Sequence, residues 1–211
     1  MRIPEQERLL QITQYDRPLW ETPGVVLAGM DEVGRGPLAG PVVAGCAAMP
    51  PEPLLAYVND SKKLSPKRRD MLYEQITAQA LGYATAWVGP EDIDRMNILQ
   101  ATRLAFAQAF AAMPIEVTDV MIDALTGLDI PARQHSLIHG DALCYSIAAA
   151  SIVAKVERDR YMERMDALYP EYGFARNKGY GTAEHLEGLR RMGPCPIHRY
   201  SFGPVAQPTL F

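Results

Sequence analysis

The chain has 211 residues, of which 48% are hydrophobic and 22% are charged, and its formal net charge at pH 7 is −4. This composition is typical of a folded protein and excludes the collagen-like, coiled-coil and mostly disordered classes. No apolar run approaches the roughly 20 residues of a membrane-spanning helix, and three scattered cysteines form neither a disulfide framework nor a CxxC metal pair. Because the N-terminus lacks a signal-peptide pattern, we expect a cytoplasmic protein.

Apolar runs of strand length alternate with helical patterns along the chain. The predicted elements, in chain order, are a helix over 5–20, strands over 25–30 and 42–49, a helix over 65–81, a strand over 83–88, a helix over 97–113, strands over 119–122 and 135–138, one long helix over 141–168, and a helix over 183–192. Ser65 and Thr182 are capping residues at the start of two of these helices. This order predicts an α/β fold with a mixed sheet flanked by helices.

The C-terminal third of the chain carries only helical patterns. We therefore expect a core domain over residues 1–165, in which 1–24 form an N-terminal helix and linker, and a C-terminal helical extension with a tail over 166–211. The centre of the long helix, residues 147–154, is rich in small side chains. Such a helix can approach a sheet closely.

Four carboxylates stand at the ends of predicted elements. Asp31 and Glu32 follow the first strand, Asp123 follows the fourth, and Asp141 opens the long helix. The carboxyl ends of neighbouring strands form the crevice where function concentrates in open α/β sheets, so these acids would converge there. Two such charges about 4 Å apart repel by about 4 kcal/mol at an effective dielectric near 20, and a cation such as Mg²⁺ would relieve that repulsion.

Two alternatives accompany this interpretation. The acids could be ordinary turn and cap residues. In addition, Asp31 and Glu32 would point to opposite faces of a regular strand, so both serve one site only if the strand has ended by Glu32.

The net negative charge argues against a nucleic-acid partner. However, the net charge does not show that many of the basic residues are concentrated in two clusters. They are Lys62, Lys63, Lys67, Arg68 and Arg69, and, in the last quarter of the chain, Arg176, Lys178, Arg190, Arg191 and Arg199. Solvated helix faces are the alternative explanation for each cluster.

Several motifs in fixed order resemble the type 2 ribonuclease H (ribonuclease HII) family. Residues 31–42 read DEVGRGPLAGPV, and the further matches are NDSKKL at 59–64, Asp123, Asp141, AASIVAK at 149–155, KGYGT at 178–182 and HRYSF at 198–202. The resemblance covers about residues 5–205. Asn177 departs from the pattern, since many relatives have histidine there. Only 30 residues precede Asp31, which disfavours the type 3 enzymes with their extra N-terminal domain.

The resemblance implies a ribonuclease H-like core and an endoribonuclease that hydrolyses RNA–DNA hybrids. It implies cutting on the 5′ side of single ribonucleotides embedded in duplex DNA, with 3′-hydroxyl and 5′-phosphate products, in ribonucleotide excision repair and RNA primer removal. By the family pattern, Mg²⁺ or Mn²⁺ would be held by Asp31, Glu32, Asp123 and Asp141. One ion would activate water and the other would stabilise the leaving 3′ oxygen.

The resemblance also implies substrate contacts. Gly34, Arg35 and Gly36 match the loop that senses the 2′-hydroxyl, the group that distinguishes RNA from DNA. Tyr180 matches a tyrosine that packs on the sugar, and Lys62 and Lys63 would contact phosphates. A buried core aromatic and a solvated basic loop are the respective alternatives.

The last five residues, Gln207-Pro208-Thr209-Leu210-Phe211, resemble the short peptide by which bacterial proteins dock on the replication sliding clamp. Gln207, Leu210 and Phe211 would be its contact residues, although a terminus this short matches easily by chance.

The four histidines lack metal-ligand spacing, so we expect structural roles for them, and we expect Cys46 and Cys144 to be buried.

Two other functions remain open at the level of the sequence. One is a different metal-dependent nuclease of the same fold, such as an exonuclease or a resolvase. The other is a non-catalytic protein that binds nucleic acid or the clamp. We expect the protein to be a monomer.

Overall fold

The computed structural model describes residues 4–206. Within that range the α-helices are α1 (Glu5–Ile12), α2 (Arg17–Trp20), α3 (Pro66–Gln79), α4 (Pro90–Met96), α5 (Ile98–Ala111), α6 (Gly140–Leu143), α7 (Tyr145–Leu168), α8 (Phe174–Asn177), α9 (Ala183–Met192) and α10 (Gly203–Ala206). The strands are β1 (Leu27–Val33), β2 (Val42–Ala48), β3 (Gly82–Val88), β4 (Asp119–Asp123) and β5 (Arg133–Leu137). Short 3₁₀ turns cover Ser61–Lys63 and Pro170–Tyr172. No helix in the described part is long and apolar enough to cross a membrane.

The five strands form one sheet in the order β3-β2-β1-β4-β5. β1 pairs parallel with β4, with Met30 opposite Ile122, and β4 pairs parallel with β5. Only residues 34–41 join β1 to β2, a connection too short for a parallel crossover, so these two strands are antiparallel. The predicted mixed sheet flanked by helices is therefore confirmed.

The first half of α7 packs directly on the sheet. A Cβ atom added at Gly29 of β1 would lie 2.0 Å from the carbonyl carbon of Ser146, and one added at Gly45 of β2 would lie 2.5 Å from the carbonyl oxygen of Ala150. Ala148, Ala149 and Ala150 are completely buried. Small residues on both sides therefore let the helix and strand backbones touch, as the sequence predicts.

The helix predicted over residues 5–20 is in fact two helices. Thr13 and Asp16 lie in the break between α1 and α2, and both are completely buried. The Thr13 hydroxyl donates to the carbonyl of Leu9, which closes α1. Asp16 turns inward to the start of α7, and this long-range contact overrides the local helical pattern.

The described part of the chain divides into two compact units. The first contains the described residues up to 32 together with 44–86 and 106–156, and the second contains 33–43, 87–105 and the described residues from 157 onward. The first unit has a core of α1, α3 and α7 residues that includes Ile12, Leu72 and Ile76. The second has a core around Met162, Tyr172 and Phe174. The predicted domain boundary at residue 165 falls inside α7 and stays a prediction.

Candidate functional site

Three of the four predicted carboxylates converge in the first unit. Asp31, Asp123 and Asp141 each offer an oxygen, and these three oxygens lie within 4.8 Å of one another. Asp31 and Asp141 are buried and Asp123 is partly buried. Because Met30 lies opposite Ile122 in the parallel pair β1–β4, the next residue of each strand is an aspartate at the same edge of the sheet.

Asp141 reaches this edge on a one-turn helix of its own. The long helix predicted from Asp141 to Leu168 is broken at Cys144, whose extended backbone separates α6 from α7. The Gly140 N–H donates to Asp123 Oδ1 at 2.8 Å, which ties the start of α6 to the end of β4.

The break at Cys144 has its physical cause in Asp16. The Asp16 carboxylate accepts the N–H groups of Tyr145 and Ser146 at 3.0 Å each, and so caps the start of α7. The Cys144 thiol lies 3.4 Å from both Asp16 oxygens. This cap comes from more than a hundred residues earlier in the chain, so the local pattern around Asp141 carries no sign of it.

Glu32 stands apart from the other three acids. The strand does not end before Glu32 as the shared-site argument required, because β1 continues to Val33. The group of three mutually close carboxylates does not include Glu32. Its negative charge nevertheless helps to raise the pKa of Asp31. The assignment of Glu32 as a metal ligand therefore stays a prediction.

The three acids create an unfavourable local field. Burial, followed by the charges of Glu32 and Asp123, raises the pKa of Asp31 well above its ordinary value. Burial and then the charge of Asp141 raise the pKa of Asp123, against the hydrogen bond from Gly140. A hydrogen bond from Ser151 and one from the Glu32 N–H at 2.8 Å stabilise the ionised form of Asp31.

Lys62 supplies part of the compensating charge. Its Nζ lies 3.4 Å from Asp141 Oδ2, while its side chain remains 78% exposed. Partial burial opposes the ammonium form, but the charges of Asp141 and Asp31 outweigh it and raise the pKa of Lys62. Lys63 instead lies 3.6 Å from Asp60, so of the two predicted phosphate contacts only Lys62 is paired with the acidic group.

The loop that carries Lys62 is held from two sides. Arg69 donates to the carbonyls of Ser61 and Leu64 at 3.0 and 2.7 Å. The buried hydroxyl of Ser61 lies 3.0 Å from that of Ser151, the residue that hydrogen-bonds Asp31. Arg69 therefore serves the loop itself, and the predicted basic cluster is only partly a solvated face.

Carboxylate oxygens in this arrangement fit a hard divalent cation. Mg²⁺ and Mn²⁺ prefer oxygen ligands, and a cation would offset the burial and the mutual repulsion that together raise the pKa values of Asp31 and Asp123. The set Asp31, Asp123 and Asp141 is the only group of three or more potential ligands of this kind in residues 4–206. No histidine belongs to this group.

The predicted 2′-hydroxyl loop lies in the second unit and is held by two buried arginines. Arg199 donates to the carbonyls of Arg35 and Gly40 at 2.8–2.9 Å and also to that of Gly34. Arg158 donates to the carbonyls of Ala39, Pro41 and Lys178 at 2.9–3.1 Å. Both side chains are completely buried, and burial lowers the pKa of Arg199 to about 9.

Gly34 adopts a left-handed backbone with φ of +91°, and an added Cβ would lie 2.3 Å from Arg158 Nε. Only glycine therefore fits at this position. The sequence places Arg199 in a basic cluster, yet its side chain is completely buried, and the sequence gives no sign of the bonds that Arg158 and Arg199 make. Their donors go to main-chain carbonyls, which leave no side-chain pattern to recognise.

Tyr180 lies beside the same loop in the second unit. An added Cβ at Gly36 would lie 3.5 Å from Tyr180 Cε1, and the Leu38 N–H donates to the Gly179 carbonyl at 2.8 Å. The Tyr180 side chain is 47% exposed, so it is not the buried core aromatic of the alternative explanation. Gln207, Leu210 and Phe211 lie outside the described residues.

Comparison with known proteins gives one consistent result. The family model for Ribonuclease HII matches residues 28–205. The ribonuclease HII of Desulfitobacterium hafniense (strain Y51) is 50% identical over 206 residues, which cover 98% of this chain and 79% of that protein. The crystal structure of ribonuclease H2 from Pyrococcus horikoshii OT3 is 28% identical with a TM-score of 0.72, and the match covers 86% of this chain and 95% of that one. A chain in the PCNA:RNase HII complex from Archaeoglobus fulgidus is 26% identical with a TM-score of 0.69, covering 87% and 98%.

We expect the substitution Asp123→Asn to raise the melting temperature of the metal-free protein. The amide oxygen can still accept the Gly140 N–H, while one of three mutually repelling charges is removed. Each 1 kcal/mol gained corresponds to about 2–4 °C in a protein of this size. Thermal unfolding in a chelator measures the effect, and a lower melting temperature would show that repulsion does not dominate at this site.

Comparing wild type with Asp123→Asn at several pH values tests whether the charge of Asp123 causes the difference in melting temperature. The folded state raises the pKa of Asp123, so ionising this group costs stability. That cost is absent at pH values below the ordinary pKa of 3.8 and is complete above the raised pKa. The melting-temperature difference between variant and wild type should therefore shrink as the pH falls from 7 towards 4.

We expect Arg199→Lys to lower the melting temperature, because one ammonium cannot reproduce the fork of donors that reaches Gly34, Arg35 and Gly40. Each buried carbonyl left without a donor costs about 1–3 kcal/mol. The exposed Arg191→Lys is the matched control and should leave thermal unfolding unchanged. Equal melting temperatures for the two variants would refute the holding role of Arg199.

Proposed function

The chain belongs to the ribonuclease HII family and is a metal-dependent ribonuclease H hydrolase, and from this premise we propose that it cuts on the 5′ side of ribonucleotides. The family acts as an endonuclease on RNA–DNA. The proposed substrates of this chain include RNA–DNA hybrids and single ribonucleotides embedded in duplex DNA. The products would carry a 3′-hydroxyl and a 5′-phosphate.

The convergence of Asp31, Asp123 and Asp141 is the observation that carries this proposal. With Glu32 as the fourth predicted ligand, these residues would hold two divalent ions, either Mg²⁺ or Mn²⁺. Bound there, the ions would activate the attacking water and stabilise the leaving 3′ oxygen. The protein's own part is to hold the carboxylates ionised and close together, which the hydrogen bonds from Ser151 and Gly140 support.

Lys62 would contact a phosphate of the substrate. Its ammonium is largely exposed yet lies 3.4 Å from Asp141, so its positive charge stands at the edge of the acidic group. A phosphate approaching three carboxylates meets strong repulsion, and a nearby lysine lowers that barrier. Lys63 would contribute a second phosphate contact, weakened by its pairing with Asp60.

Recognition of the ribose would fall to Gly34, Arg35, Gly36 and Tyr180. A single hydroxyl distinguishes the substrate from DNA, so the backbone that reads it has to be held rigidly. The bonds from Arg199 to the carbonyls of Gly34 and Arg35 support this role. The exposed Tyr180 ring beside Gly36 is available to pack on a sugar.

A DNA duplex that carries one ribonucleotide tests the proposal. With Mg²⁺ or Mn²⁺ we expect a single cut 5′ of the ribonucleotide and no cut in the all-DNA duplex of the same sequence. Asp31→Asn should abolish cutting, because it removes one of the three close carboxylates.

The alternatives give different results in this assay. An exonuclease would shorten the strands from their ends, and a resolvase would cut branched DNA without a ribonucleotide. A non-catalytic binding protein would bind the duplex without cutting it and would lose nothing in Asp31→Asn.

We further propose that the C-terminal peptide Gln207-Pro208-Thr209-Leu210-Phe211 docks on the sliding clamp. The archaeal relative of known structure was solved as a PCNA:RNase HII complex. In the peptide of this chain, Leu210 and Phe211 would supply apolar anchors and Gln207 a polar contact. Roles in ribonucleotide repair and primer removal, a monomeric state and a cytoplasmic location belong to the same proposal.

Deleting residues 207–211 should abolish association with the bacterial clamp and leave the cutting of a short ribonucleotide duplex unchanged. Clamp pull-down and initial cutting rates measure the two properties separately. Replacing only Pro208 and Thr209 with alanine is the control, since the three contact residues stay in place. Undiminished clamp binding by the deletion variant would reject this docking site.

A further inference from the structure

The second unit contains a pair of buried histidines that the proposed chemistry does not use. His185 in α9 and His198 are both completely buried. Their Nε2 atoms lie 2.9 Å apart. The rings of Tyr172 and Phe174 pack around the pair, with centroids 4.9–6.2 Å from those of the histidines. Two ring nitrogens in direct contact require that one donates and the other accepts.

The neighbouring groups determine which nitrogen donates. The Cys195 N–H donates to His198 Nδ1 at 2.9 Å, whereas the Cys195 carbonyl oxygen lies farther from the same nitrogen, at 3.3 Å. The shorter contact with a group that can only donate favours a lone pair on His198 Nδ1. The proton of neutral His198 is therefore on Nε2, which donates to His185 Nε2. His185 in turn carries its proton on Nδ1, which lies 2.9 Å from the Tyr180 carbonyl oxygen. The result is a hydrogen-bond chain with one direction, from Cys195 to Tyr180.

The surroundings favour the neutral form of both rings. Burial lowers the pKa of His185, and burial with the proximity of His185 lowers that of His198 to about 4. Burial raises the pKa of the Cys195 thiol, whose sulfur lies 3.1 Å from His198 Nδ1, and that of Tyr172. Cys195 and Tyr172 are thus uncharged near neutral pH, and the charge of Glu171 contributes to raising the pKa of both.

The chain of hydrogen bonds ends on the residue that would meet the sugar. The Tyr180 carbonyl accepts from the Thr182 N–H at 2.8 Å as well as from His185, and the Tyr180 N–H donates to the Asn177 carbonyl at 2.9 Å. The two preceding residues, Lys178 and Gly179, both have positive φ values. The Tyr180 backbone is therefore held from both sides in an unusual turn, while its ring remains exposed.

We infer that His185 and His198 are positioning residues that fix the main chain of Tyr180 through this hydrogen-bond chain, and thereby set how its ring meets the ribose-containing strand. The inference rests on the proposed function, in which Tyr180 packs on the sugar. Neither histidine would touch the substrate itself.

The first test uses the wild-type protein. Long-range ¹H–¹⁵N NMR of histidine-labelled protein at pH 7 should show His185 as the Nδ1–H tautomer and His198 as the Nε2–H tautomer, both neutral. His135→Asn and His139→Asn remove the other two histidine signals and complete the assignment. The opposite tautomer at either ring, or a charged ring, would overturn the inference whether or not any variant folds.

The second test compares two substitutions of His185. Asn places an amide donor near the position of Nδ1 and can keep the bond to Tyr180, whereas Gln reaches towards His198 and cannot donate to Tyr180. We expect His185→Gln to raise KM for the single-ribonucleotide duplex about tenfold, with kcat within about twofold of wild type. KM of His185→Asn should stay within about threefold. If His185 has a merely structural role, the change in KM of each variant should instead parallel its loss in melting temperature.

A double-mutant cycle decides whether the effect passes through Tyr180. In the Tyr180→Ala background, His185→Gln should change KM no further, whereas independent effects would multiply. His135→Asn, which alters a histidine bonded to Asp119 in the first unit, is the matched control with unchanged KM. If wild type fails to cut, the proposed function fails. If wild type cuts and His185→Gln has the same KM as wild type, only the present inference fails.

Discussion

The repulsion among Asp31, Asp123 and Asp141 is the constraint that the first unit has to satisfy. At about 4 Å and an effective dielectric near 20, each pair of charges costs about 4 kcal/mol. Tight packing of α7 on β1 and β2 offsets this cost, because the buried alanines of α7 and the facing glycines bring the backbones into contact. The carboxylates are thus held together by apolar packing elsewhere in the unit, and their mutual repulsion makes them a site for cations.

Most elements could be predicted because their signals are local. The cap at Ser65, the proline after it and the buried Leu72 and Ile76 define α3, and Thr182 accepts from the His185 N–H at the start of α9. The breaks at Thr13–Asp16 and at Cys144 could not be predicted. Both depend on one contact between Asp16 and the start of α7. The helical pattern on either side of each break is good, so a contact between distant parts of the chain decides the structure.

Some features of the candidate site could likewise be predicted from the sequence, and others could not. Acids that follow apolar runs could be placed at one sheet edge from the sequence, because parallel neighbours end together. The strand length was the weak point of that argument, since β1 runs three residues beyond the predicted end at residue 30 and therefore includes Glu32. The roles of Arg158 and Arg199 were invisible for a different reason. Every residue of any sequence has a main-chain carbonyl that a guanidinium could bind. The sequence therefore does not indicate which carbonyls an arginine binds.

The second unit relies on this kind of contact throughout. Arg199 binds the carbonyls of Gly34 and Arg35, Arg158 binds that of Lys178, and His185 binds that of Tyr180. Each of these loops includes a residue at positive φ, and such turns expose carbonyls that no regular element satisfies. Buried arginines and neutral histidines supply the missing donors without contributing a side chain to the loop surface. A backbone held in this way can present its own groups to a small feature such as one hydroxyl, because little reorganisation remains to be paid for on binding.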